Sequence, residues 1–116
     1  MKLIEKQFMF ASLVPLLIGK ALQLGFTVTL GECYRSPEEA ARLAKLGKGI
    51  VGSLHTLKLA IDINLFRDGV YLTTSEAHRT LGTYWESLSN GKNFVTYWGG
   101  HWGDGNHYSI GHGNKK

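Results

Sequence analysis

Two hydrophobic periods alternate along this chain, and the switches between them mark its elements. Phe8, Leu13, Leu16, Leu17, Ala21 and Leu24 recur at helical spacing and predict a mostly buried helix that stops at Gly25. Pro15 interrupts the run and predicts a kink. Phe26 to Leu30 alternates and is rich in β-branched residues, the pattern of a strand. Ser36-Pro37-Glu38-Glu39 then has the form of a helix start: serine as N-cap, proline at the first helical position, and a glutamate placed to close a capping box. That helix is expected to run to Leu46 and stop at Gly47. Leu59 to Phe66 is the clearest strand, with Ala60, Asp62, Asn64 and Phe66 on one face and Leu59, Ile61, Ile63 and Leu65 on the other. Asp68-Gly69 signals a tight hairpin. Thr74 or Ser75 can cap a third helix from Glu76 to about Leu88, with Trp85 on its apolar side, and Asn90-Gly91 ends it. A Trp- and Gly-rich segment leads to a last strand, His107 to Ile110. This order predicts an α+β fold, a small antiparallel sheet flanked by about three helices.

The length, 116 residues, suits one domain over 1–116 with a core that needs no disulfide staples. The lone Cys33 excludes a disulfide framework and Cys-rich zinc modules, and reads as a small buried residue beside a strand. Any metal must therefore be held by histidine and carboxylate. The net charge of +4 favours loose attraction to polyanions such as anionic lipid or cell wall. The lysines are scattered with no recognition-helix pattern, so no nucleic-acid partner is expected. The apolar stretch after Lys6 lacks a small-x-small cleavage site and is too short to span a bilayer, so neither a signal peptide nor stable membrane insertion is expected.

Two polar clusters carry the candidate chemistry. Ser53-Leu54-His55 opens a run that reaches Asp62, and Asp104-Gly105-Asn106-His107 follows about forty residues on. Together they offer two imidazoles and two carboxylates, the ingredients of a zinc site with three ligands, an open position for water and a separate acid. In one straight strand His55 and Asp62 would lie about 23 Å apart and on opposite faces. They can share a metal only if the chain doubles back between 55 and 59. Asp62, between Ile61 and Ile63, is costly to bury without a metal or strong donors, and a salt-bridged structural aspartate is the competing reading. Asp104 also fits a plain turn, and His107 an ordinary half-buried histidine. Of the other imidazoles, His78 beside Arg79 is expected at the surface, and His101 close enough to line the site. Trp98, Trp102 and Tyr108 suit either core or the wall of a substrate groove. Arg35, between a strand and a helix cap, can hold a substrate carboxylate or pair with Glu32 or Glu39.

Ser53-x-His55-x-x-x-x-Ala60-x-Asp62 with Asp104-x-x-His107 resembles the zinc peptidases of the D-Ala-D-Ala carboxypeptidase type, and most of all their compact phage endolysins. Tyr34-Arg35-Ser36 to Glu39 is similar to a further element of that family, and likeness extends through Asp62–Phe66 and Trp98–Gly100 to Ser109. Lys58 departs from the pattern, standing where the family often has glycine, which puts the local backbone shape in question. The resemblance implies the Hedgehog/DD-peptidase fold, Zn2+ on His55, Asp62 and His107, and Asp104 as catalytic acid/base. It implies substrate contacts from Arg35 and Ser53, to which His101 and Trp102 are added from their position. The expected substrate is the stem peptide of peptidoglycan, cut between L-Ala and D-Glu by a monomer. The enzyme is expected to accumulate in the host cytoplasm and to reach the wall through a separate pore. A D,D-carboxypeptidase or D,D-dipeptidase is the alternative within the same chemistry, and a catalytically silent wall-binding module the alternative outside it.

Overall fold

The computed structural model describes residues 1–50 and 52–116. Among the described residues there are three α-helices and five strands: α1 (Leu3–Gln23), β1 (Thr27–Leu30), α2 (Pro37–Lys45), β2 (Ala60–Arg67), β3 (Val70–Tyr71), α3 (Arg79–Ser87), β4 (Thr96–Trp98) and β5 (His107–Ile110). All pairings are antiparallel, in the order β1-β2-β5-β4, with β3 beside β2 as a hairpin arm. The fold is α+β. Short 3-10 turns at Leu54–Leu57, Glu76–His78 and Gly99–Trp102 make the tight corners.

The alternation in β2 sorts the two faces of the sheet as its sequence requires. Ile61, Ile63 and Leu65 are buried in one apolar cluster with Phe10, Leu13, Leu17 and Ala21 of α1 and with Leu81 and Trp85 of α3. Asp62 and Asn64 point the other way and stay partly accessible. Helices α1 and α3 thus occupy one face of the sheet and leave the opposite face to the polar side chains. At the hairpin, Arg67 pairs with Val70 around Asp68 and Gly69, both at positive φ, the left-handed two-residue turn that matches strand twist.

Several expectations need correction. α1 runs unbroken through Pro15, but its buried stripe is Phe10, Leu13, Leu17 and Ala21. Phe8 and Leu16 lie outside, 67% and 49% exposed. Apolar residues almost encircle this helix, so periodicity alone could not say which arc faces the core. Cys33 is exposed rather than buried. Ser36 caps α2 by accepting from the Glu39 N–H at 3.1 Å, yet the Glu39 carboxylate turns to Arg42 instead of completing the box. Strand β4 was hidden in the Trp/Gly segment, too short to show a period of its own.

His78 is the clearest reversal. It is buried, and its Nδ1 lies 2.8 Å from the Tyr108 hydroxyl. Burial depresses its pKa to about 4 and raises that of Tyr108, so both groups are neutral near pH 7. Its neighbour Arg79 points out to Glu76, which is why a charged neighbour in sequence was a poor guide.

α3 approaches β4 at Gly82. A Cβ there would fall 2.2 Å from the indole of the buried Trp98. Gly82→Ala is expected to lower stability by about 1–3 kcal/mol through overpacking, read as a shifted denaturant midpoint at unchanged m-value; an unshifted midpoint would remove the contact.

Candidate metal centre

Strand pairing brings the two polar clusters together. Asp62 is directly opposite His107 across β2 and β5. The backbone of Asp62 is committed to the other neighbour: its N–H donates to the Glu32 carbonyl at 2.9 Å, and its carbonyl accepts from the Gly31 N–H at 2.8 Å. The Asp62–His107 pair is therefore of the non-hydrogen-bonded kind, in which facing side chains come closest. Two residues, Gly31 and Glu32, oppose one, the pattern of a β-bulge. Any side chain at Gly31 would crowd this point, since a Cβ there would sit 2.9 Å from the Asp62 Cβ.

His55 arrives by the doubling back that its spacing demands. Ser53 accepts from the His55 N–H at 3.2 Å and starts the turn. Leu54–Leu57 winds as 3-10, and Lys58 closes it in the left-handed region at φ 58°. Lys58 thus stands where the backbone favours glycine. Its ammonium lies 5.5 Å from the centre of the Tyr34 ring, a cation–π contact that offsets part of the strain.

The segment 31–35 braces both ligand candidates. While Gly31 and Glu32 hold Asp62, the Cys33 carbonyl lies 3.0 Å from His55 Nδ1, and the Arg35 N–H donates to the His55 carbonyl at 3.1 Å. Only a protonated Nδ1 can donate to that carbonyl, so in the neutral imidazole the lone pair of His55 is on Nε2, 3.3 Å from Asp62 Oδ1. His107 Nδ1 lies 3.9 Å from the same oxygen and 3.9 Å from Asp104 Oδ2. The other nitrogen of His107, Nε2, is buried with no hydrogen-bond partner among the described residues.

His55, Asp62 and His107 offer one donor atom each, all within 4.8 Å of one another, and can hold a metal ion. Tetrahedral ligands about 2.0–2.2 Å from a centre are spaced roughly 3.3–3.6 Å apart, so small side-chain adjustments close the set. Two imidazoles and one carboxylate, with one imidazole already oriented by a backbone carbonyl, fit a borderline-soft divalent ion.

The charges bear on this. Burial acts to lower the His55 pKa, but the Asp62 carboxylate and the Cys33 carbonyl outweigh it and leave it raised. Burial lowers His107 despite Asp104. Asp104 is held above its ordinary value, first by partial burial, opposed by His107, and further by the nearby charge of Asp62.

Around these groups lies a cleft of about 350 Å³, lined by Arg35, Ser53, Trp102 and Asp104 as well as the three donors. Arg35 pairs with Glu32 through Nε at 2.7 Å and through Nη2, while Glu39 is taken by Arg42. Trp102 stands edge-on to His107 with ring centres 5.8 Å apart. His101 does not join the cleft: its Nε2 meets Glu86 at 2.9 Å. Residues 101 and 102 share a 3-10 turn, where successive side chains point about 120° apart, so Trp102 enters the cleft and His101 turns to α3. Lys48, Ile50 and Lys116 also line the cleft and escaped the sequence reading. No local pattern in Gly47-Lys48-Gly49 points to a place in the cleft.

Compared with protein-family models and with curated proteins, the chain matches none.

Two outcomes follow. Purified protein incubated with a transition-metal ion should retain one equivalent by elemental analysis, and His55→Ala or His107→Ala should lose it; retention by both variants would remove the centre. Lys58→Gly should hold stability within about 1 kcal/mol, whereas Lys58→Val, β-branched at positive φ, should lose about 1–2 kcal/mol; equal stabilities in thermal melts would show the turn unstrained.

Proposed function

We propose that this chain is a zinc-dependent peptidase of the D-Ala-D-Ala carboxypeptidase type that hydrolyses an amide bond in the peptidoglycan stem peptide. One observation carries the reading: a fourth polar group, the Asp104 carboxylate, borders the three donors without belonging to their set. A structural metal site has no use for a free carboxylate at its edge, while a hydrolytic one needs a proton carrier there.

Zinc on two imidazoles and a carboxylate would supply a Lewis acid that polarises the scissile carbonyl and acidifies a water in the open position. The protein's own groups do the rest. Asp104 Oδ2 takes the proton of the attacking water and returns it to the nitrogen of the leaving amine. Its raised pKa suits that exchange, since a carboxylate that binds a proton more readily is a better relay near neutral pH. The Cys33 carbonyl keeps the proton of His55 on Nδ1, so Nε2 remains a donor atom throughout.

Arg35 orients the substrate. Its guanidinium is fixed by Glu32 at the cleft wall and is suited to a carboxylate on the peptide, such as that of D-Glu or of a chain terminus. Trp102 offers an aromatic wall for the apolar part of the stem, and Ser53 lies at the cleft floor. A cut between L-Ala and D-Glu puts the free carboxylate of D-Glu beside the scissile bond, which Arg35 can hold; removal of a terminal D-Ala places a carboxylate in the same position, and the products distinguish the two.

Asp104→Asn should keep bound zinc but lower turnover of purified peptidoglycan by at least about 10³-fold, followed by release of free amines; full activity in that variant would remove the assigned role. Mass spectrometry of the digested muropeptides should show fragments cut between L-Ala and D-Glu. Loss of a terminal D-Ala alone would make it a D,D-carboxypeptidase, and no released amine from a zinc-loaded, wall-bound protein would make it a binding module.

A further inference from the structure

α1 has a second apolar face that nothing in the described chain covers. Ile4, Phe8, Pro15, Leu16 and Leu22 fall on the arc opposite its buried stripe, and each is exposed. Phe8 at 67% and Leu22 at 55% are far more open than a core helix needs. The face continues sideways into an apolar groove of about 500 Å³ between α1 and the wall formed by Cys33, Tyr34 and Ile61. A continuous apolar surface of this kind marks a docking surface.

Charge selects the occupant. Lys58 lines the groove on one side of the arc, and at the other flank lie Lys20 of α1, its ammonium 5.4 Å from the centre of the Tyr84 ring, and Lys2, which caps the helix. Glu5 is the only acidic residue of α1. Two copies of the protein joined through this face would bring lysine against lysine, which opposes a symmetric dimer. A sheet of anionic lipid headgroups over hydrocarbon complements both parts at once: phosphates meet the lysines, and the acyl boundary receives Phe8 and its neighbours. No helix of the described residues is long and apolar enough to cross a membrane, so α1 would lie in the plane of the interface.

We propose that the outer face of α1 docks the protein reversibly onto anionic lipid bilayers. The docked orientation leaves the cleft open, because α1 packs on the sheet face opposite Asp62 and His107. This inference is independent of the catalytic reading, and either can fail alone.

The test is co-sedimentation of the full chain with vesicles of phosphatidylglycerol and phosphatidylcholine, and with phosphatidylcholine alone. The protein should pellet with the anionic vesicles at low salt and at least tenfold less with neutral ones. Phe8→Gln and, separately, Leu22→Gln should each lower the bound fraction at least fivefold while circular dichroism stays unchanged, since both side chains are already in water. The paired change Lys2→Gln and Lys20→Gln should reduce binding to anionic vesicles alone. Failure to pellet, or pelleting unaffected by both glutamine variants, overturns the proposal. So does a dimer in analytical ultracentrifugation that Phe8→Gln dissociates, which would assign the face to a second copy.

Discussion

The candidate centre depends on one cross-strand pair. Asp62 and His107 lie far apart in sequence and meet because β2 and β5 run antiparallel in a register that sets them opposite each other. With the Asp62 backbone turned to Gly31 and Glu32, their side chains share the closer kind of pairing. A slip of one residue would send Asp62 into the apolar layer beneath α1 and turn Ile61 or Ile63 toward the cleft. Burying those isoleucines against α1 and α3 therefore fixes the register and the ligand geometry together. Core and site are two faces of the same constraint.

The second ligand pair follows from the bulge. Once Gly31 and Glu32 oppose Asp62, the chain continues past His55 so that Cys33 and Arg35 engage it by backbone hydrogen bonds. The sharp left-handed corner at Lys58 is what lets His55 reach Asp62 across so short a connection. A backbone carbonyl orients the His55 ring, and main-chain hydrogen bonds fix where the Asp62 side chain starts. Arg35, braced by Glu32 from the same segment, brings a cation to the wall of the cleft. One short irregular stretch thus positions two donors and the Arg35 guanidinium at the cleft wall.

How much of this was legible in the sequence varies with the range of the forces involved. Local signals performed well: Ser36 before Pro37 did cap a helix, Asp68-Gly69 did make a hairpin, and His107–Ile110 is a strand with the expected bounds. Alternation in β2 assigned the faces correctly, including the outward Asp62. The doubling back at His55 was required by distance alone and is met by a 3-10 turn that no periodicity announces. What failed depended on tertiary contacts. Nothing near His78 reveals Tyr108 as its partner, and nothing near His101 reveals Glu86. On α1, apolar residues on both arcs left the buried side undetermined, and Phe8 and Leu16 were assigned to the wrong one. Lys48 and Lys116 reach the cleft from segments with no pattern at all.

The proposal requires His55, Asp62 and His107 to bind one zinc ion beside an unligated Asp104. Anomalous diffraction at the zinc absorption edge, from crystals grown with one equivalent of the metal, tests it most directly. A single strong peak is expected, bounded by His55 Nε2, an oxygen of Asp62 and His107 Nδ1, with the Asp104 carboxylate outside bonding distance. A peak elsewhere, or none among these three side chains, would contradict it.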